Sequence, residues 1–159
     1  MLKPDELKLL AHKNAPNFKV WFKKNKKRLE KMDNEVHELH EKHTEDTDCL
    51  QCAACCRHLG PAIYDKDIER IAKALRIKPS DVVSQYLRID EDGDYVFKSM
   101  PCPFLMPDNY CSIYESRPKA CREYPHTDRK KFFQIYKLTV KNMETCPIAY
   151  KVLKDLSSL

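Results

Sequence analysis

The sequence predicts a mainly α chain with a small β-hairpin: a compact, loop-rich, cysteine-dense domain over residues 45–159, preceded by a long N-terminal helix within a helical segment over residues 1–44. Three observations lead there. Apolar residues recur at helical spacing near both ends and in the middle of the chain. Two short β-prone runs flank Asp92-Gly93, and proline and cysteine punctuate Met100 to Pro125.

Pro4 with Asp5 and Glu6 opens a short amphipathic helix, because proline suits a first turn and carboxylates there complement the helix dipole. Leu7, Leu10 and Ala11 form its apolar side, and Pro16 predicts a break. From Asn17 to about Lys42 no glycine or proline intervenes, which predicts one long helix with the stripe Phe18, Trp21, Phe22, Leu29, Met32, Val36 and Leu39. Its charge is divided: Lys19, Lys23, Lys24, Lys26, Lys27, Arg28 and Lys31 come first, and Asp33, Glu35, Glu38, Glu41, Glu45, Asp46 and Asp48 follow. Asp65 or Lys66 starts a helix carrying Ile68, Ile71, Ala72 and Leu75, and Pro79 to Asp81 caps another reaching Leu87. Leu87-Arg-Ile and Tyr95-Val-Phe pair as a hairpin, since Gly93 supplies the positive φ of a tight turn. Pro118 opens a short helix that Pro125 ends. Tyr114 and Tyr124 nearby read as packing residues. Lys131 to Val140 reads as strand or helix, and Pro147 to Leu156 as a helix.

Composition narrows the function classes. The 159 residues are 42% hydrophobic and 33% charged, enough apolar material for a modest core under a charged surface. Gly60 and Gly93 are the only glycines, which excludes both a GxGxxG dinucleotide loop and a P-loop. No GxSxG elbow or Ser-His-Asp arrangement supports hydrolase chemistry. Charged residues occupy the N-terminus where an export signal would be apolar, and no run approaches the roughly 20 apolar residues that span a bilayer. The expectation is a cytoplasmic protein with no membrane role, and in a reducing compartment its eight cysteines do not persist as four disulfides.

Those cysteines point to a metal. Cys49, Cys52, Cys55 and Cys56 write CxxCxxCC, and Cys102, Cys111, Cys121 and Cys146 follow singly. Neighbouring thiolates at CxxC spacing converge on one ion, and eight ligands make two sets of four, so zinc or an iron–sulfur cluster satisfies the count equally. Cys49, Cys52 and Cys55 reproduce the start of a ferredoxin run, which leans towards iron–sulfur. Consecutive cysteines project differently, so the choice between Cys55 and Cys56 stays open. A ligand set of Cys49, Cys52 and Cys56 joined by a remote Cys121 is the leading expectation. Arg57, Arg117 and Arg122, beside or between cysteines, are candidates to hold an anionic cofactor or balance the sulfur charge. Four cysteines within eight positions are too dense for inert core thiols. His37, His40 and His43 drift around a helix at three-residue steps and read as an ordinary solvated face, while His58 and His126 read as bystanders.

The pieces Cys49-Leu-Gln-Cys-Ala-Ala-Cys-Cys56, Asp67-Ile-Glu-Arg-Ile-Ala72, Cys102-Pro-Phe-Leu105 and Cys111-Ser-Ile-Tyr-Glu-Ser-Arg-Pro-Lys-Ala-Cys-Arg-Glu-Tyr-Pro125 resemble the YkgJ-type cysteine-cluster family, the zinc- or iron-chelating CxxCxxCC domain. The resemblance covers about Asp48 to Pro147 and implies a chelated metal or iron–sulfur cluster. A related cluster in enzymes resembling flagellin lysine N-methylases keeps an iron–sulfur-dependent enzyme acting on a protein, by redox or methyl transfer, open as an analogy. The third reading is a metal-stabilised adaptor for an acidic protein or RNA, bound through Lys19 to Lys31.

Overall fold

The computed structural model describes residues 2–159. In chain order its elements are α1 (Pro4–Leu29), α2 (Asp33–Glu45), α3 (Cys49–Cys52), α4 (Ala54–His58), α5 (Asp65–Leu75), α6 (Pro79–Tyr86), β1 (Leu87–Ile89), β2 (Tyr95–Phe97), α7 (Lys119–Glu123), α8 (Tyr136–Asn142) and α9 (Pro147–Leu156). Short 3-10 turns lie at Tyr114–Ser116 and Phe132–Ile135. The chain folds as two units, one from the residues up to Asp48 together with Pro125–Leu159, the other from Cys49–Tyr124. None of the described helices is long and apolar enough to cross a membrane.

In the first unit the helices divide differently from the sequence expectation. α1 runs through Pro16 as one helix of 26 residues. Proline removes the amide that would reach back one turn, yet burial of Leu7, Ala11, Phe18 and Leu29 holds both sides of it on one packed face. The break falls instead at Glu30–Met32, where neither glycine nor proline occurs. Tertiary contacts set it: Leu29, Met32 and Val36 are all buried, and the Asp33 carboxylate accepts the backbone N–H groups of Lys131 (2.6 Å) and Phe132 (3.0 Å).

Tyr136 is the centre of the aromatic packing here. It is 1% exposed, its ring stacks on Phe22 at 4.6 Å and on Trp21 at 5.9 Å, and its hydroxyl donates to the Phe18 carbonyl at 3.1 Å. Each such ring pair contributes about 0.5–1.5 kcal/mol beyond area burial. The segment from Phe132 to Asn142, ambiguous between strand and helix by composition, is therefore helical: a 3-10 turn followed by α8.

The three histidines of α2 are packing pins. His37 Nε2 lies 3.1 Å from the Arg129 carbonyl, His40 Nδ1 2.7 Å from the Thr127 hydroxyl, and His43 Nε2 2.9 Å from Asp155. They fasten α2 to the 127–129 loop and to α9, so the solvated-face expectation is corrected for His43, which is buried.

The second unit matches the sequence reading closely. α5 and α6 form the helical hairpin, and β1 pairs antiparallel with β2 in the register Leu87 with Phe97, Arg88 with Val96 and Ile89 with Tyr95. Gly93 sits at φ +83° in the connecting turn, where the Asp90 carboxylate accepts the amides of Asp92 and Asp94 at 3.0 Å each. Ile63, Ile68, Ile71, Val82, Leu87, Phe97, Phe104 and Ile113 build the core, and Cys102 and Cys111 pack against its edge.

Candidate metal centre

CxxCxxCC is two short turns and not one helix. Cys49–Cys52 forms α3, closed by the Ala53 amide donating to the Cys49 carbonyl at 2.8 Å, and Ala53 then adopts φ 43°. A left-handed alanine is strained by its Cβ, and burial at 4% exposure holds it there. The helical path is thereby interrupted between the second and third cysteines, and Cys55 and Cys56 lie on the separate helix α4.

Backbone bonds then bring the later cysteines to Cys56. The Cys102 amide donates to the Cys56 carbonyl at 2.8 Å. From Cys102 the chain makes a tight turn: Leu105 and Cys111 pair as an antiparallel bridge, the Ser112 amide bonds the Phe104 carbonyl at 2.8 Å, and Asn109 takes a left-handed φ of 67°. The turn returns Cys111 towards Cys102. Arg57 donates to the Asn109 side chain, a second tie between α4 and this turn.

The fourth cysteine arrives on α7, and a buried carboxylate positions it. Asp67, 1% exposed on α5, accepts the Tyr64 amide at 2.9 Å, the Lys119 amide at 3.0 Å and the Arg70 guanidinium. Lys119 is the first residue of α7, so one side chain serves the N-termini of two helices. Arg70 also donates to the Arg117 carbonyl at 3.4 Å. Asp67 belongs to the sequence motif but has no role assigned by spacing alone; an acidic residue at the third helical position, N3, is the signal that marks it.

Cys56, Cys102, Cys111 and Cys121 share one charge neighbourhood. Burial pushes the Cys121 thiol up to about 12, reinforced by Cys102, Cys56 and Cys111 and opposed by Arg117. Burial likewise raises Cys102 to about 11, with Cys56 and Cys111 adding to it, and raises Cys111, with Cys56 again contributing. Cys56 goes the other way, down to about 6: the Cys55 side chain hydrogen-bonds it, which outweighs its burial, and Arg117 and Arg57 favour its charge.

Arg57, itself exposed, and half-buried Arg117 thus act on the charge of these thiols, and the exposed Arg122 of α7 is not among the charges that do. Arg117 is held by its Nε–H bond to the Tyr114 carbonyl at 2.9 Å and lies 3.7 Å over the Tyr114 ring, which stacks in turn on Tyr110 at 5.6 Å. The packing role expected of Tyr114 takes an exposed form: the residue is 39% exposed, and its ring platforms the arginine. A shallow cavity of about 290 Å³ beside Cys111 is lined by Tyr110, Tyr114, Glu115 and Ser116.

The other cysteines are placed differently. Cys49 is exposed and Cys52 half-buried on α3. Cys146 lies in the first unit, where it caps α9 ahead of Pro147 and is 8% exposed. No disulfide joins any of the eight. His58 is exposed at the end of α4, and His126 falls in the first unit.

The donor set suits a soft or borderline cation. Burial makes the Cys102, Cys111 and Cys121 thiols resist ionising alone, whereas Cys56 is already biased towards thiolate, and a metal ion deprotonates thiols that coordinate it outright. Among the described residues no three His, Cys, Asp or Glu side chains already stand in the geometry of a metal site. No curated protein and no solved structure matches the chain significantly. A family model does, over residues 48–147: "CxxCxxCC: putative zinc- or iron-chelating domain". That span covers most of the chain and every cysteine in it, so the protein belongs to the CxxCxxCC family of metal-chelating domains.

Proposed function

We propose that the second unit is a binding module that holds one zinc ion through Cys56, Cys102, Cys111 and Cys121, with Arg57 and Arg117 offsetting the charge of the four thiolates. The observation that carries this is the shared charge neighbourhood of four thiols on three separate segments: α4, the 102–111 turn and α7. Four thiolates around a divalent ion carry a net charge of −2, which two guanidiniums balance. The ferredoxin-like lean rests on Cys49, Cys52 and Cys55; the set favoured here shares none of these, so a closed four-thiolate zinc site is the better reading. The ion would staple the loop-rich segments to one another, supplying folding free energy where the core of this unit is small.

Metal analysis of anaerobically purified protein, wild type and eight single Cys→Ser variants, tests it. About one zinc per chain is expected, lost in the variants at positions 56, 102, 111 and 121 and kept in Cys146→Ser. Full metal retention by both Cys56→Ser and Cys121→Ser would refute the ligand set, and a brown chromophore with stoichiometric iron and sulfide would replace zinc with a cluster.

A further inference from the structure

The metal reading leaves the charge division of the first unit unused. Lys19, Lys23, Lys24, Lys26, Lys27 and Lys31 are all exposed along α1 and just past its end, and Glu35, Glu38, Glu41, Glu45 and Asp46 are all exposed along and just past α2. Among the described residues, none of these side chains forms an ion pair with a neighbour. Helix dipoles account for the basic last turn of α1 and the acidic first turn of α2. They do not account for Lys19, Lys23 and Lys24, and they oppose Glu41, Glu45 and Asp46 at the negative end of α2. Glu38, Glu41 and Glu45 recur at i, i+3, i+7 and Lys19, Lys23 and Lys26 at i, i+4, i+7, so each stripe also repels itself. The repulsion in both is relieved by a surface of opposite sign.

From this complementarity we infer that the exposed charge stripes of α1 and α2 pair with those of a second copy of this chain. The two stripes match in length, Lys19 to Lys26 and Glu38 to Glu45 each extending about 10 Å at the helical rise. A twofold pairing sets the basic stripe of each copy against the acidic stripe of the other, satisfying both at once in a closed dimer. A nucleic acid is the weaker occupant: Trp21 and Phe22 are engaged with Tyr136 and offer no free ring for base stacking, and the acidic stripe in the same unit repels phosphate. This inference goes beyond the metal reading and is independent of it.

Sedimentation velocity of the full metal-loaded chain at low salt and at about 0.5 M salt reads the association, which should weaken by about tenfold or more as the charges are screened. Lys23→Glu/Lys24→Glu/Lys27→Glu should be monomeric at low salt, as should Glu38→Lys/Glu41→Lys/Glu45→Lys. Mixed in equal amounts, the two triple variants should associate with each other, because each then offers the sign the other lacks. Circular dichroism and metal content report that each variant is folded. A wild type that stays monomeric at low salt, reversals that leave association intact, or a mixture of folded variants that does not associate would overturn the inference. So would a wild-type monomer that binds a single-stranded oligoribonucleotide through the lysines, which would assign the face to nucleic acid.

Discussion

Replacing Asp67 by alanine removes the acceptor on which two helix starts and one guanidinium converge. The side chain is 1% exposed and bonds the Tyr64 amide, the Lys119 amide and Arg70. Hydrogen bonds to a charged group are worth about 1.5–3 kcal/mol each, but they are not additive within one network, and solvent around the partly exposed Arg70 screens its share, which sets the loss at about 3 kcal/mol. The Arg70 Nε already lacks a partner, so the variant leaves a guanidinium still less compensated. For a unit of this size about 3 kcal/mol lowers the thermal midpoint by at least roughly 12 °C. Thermal unfolding followed by circular dichroism measures the shift. Asp67→Asn, which keeps one amide oxygen as acceptor, should fall between wild type and Ala. Because α7 carries Cys121, metal transfer to a chromophoric chelator should also be faster in the Ala variant. An Ala variant within about 4 °C of wild type, or one with an unchanged rate of metal release, would refute the claim that this carboxylate positions α7.

Two further outcomes follow from the first unit. Burial raises the Asp155 carboxyl, but the hydrogen bonds and charges of Lys42 and His43 outweigh it, leaving the group below its ordinary range. Its contribution is complete above about pH 4, is lost as pH falls through the lowered value, and stays under about 1 kcal/mol on this partly exposed site; Asp155→Asn should flatten the acid limb of a thermal midpoint against pH profile, and an unchanged limb would disprove the coupling. Tyr136→Phe leaves the Phe18 carbonyl without its 3.1 Å donor and should cost about 0.5–1.5 kcal/mol in urea unfolding, with the ring stacks intact.

Local chemistry accounts for what was legible in the sequence. α9 begins at Pro147, α6 at Pro79 and α5 at Asp65, each on a first-turn signal that needs no distant partner, and the Asp92-Gly93 turn carries its own backbone preference. The misplaced break in the N-terminal helices comes from weighting Pro16 over packing. The charge switch between Arg28 and Asp33 is the better signal, since basic residues close one helix and acidic ones open the next. The grouping of Cys102 and Cys111 with Cys56 is beyond sequence reading, because it depends on an amide of one segment reaching a carbonyl of another.

The chain leaves the first unit at Asp48 and re-enters it at Pro125, which has a consequence for biosynthesis. Cys49–Tyr124 is fully translated while α1 and α2 still wait for α8 and α9, against which they pack. Domains generally fold as units in the order they emerge from the ribosome. The cysteine-bearing unit is thus complete before its neighbour can close, and its loading with metal can precede completion of the other unit. A translation-arrest fusion with the tunnel exit placed just beyond Tyr124 should therefore register metal-dependent folding force before any from the first unit, and a force signal that waits for α9 would show the opposite order.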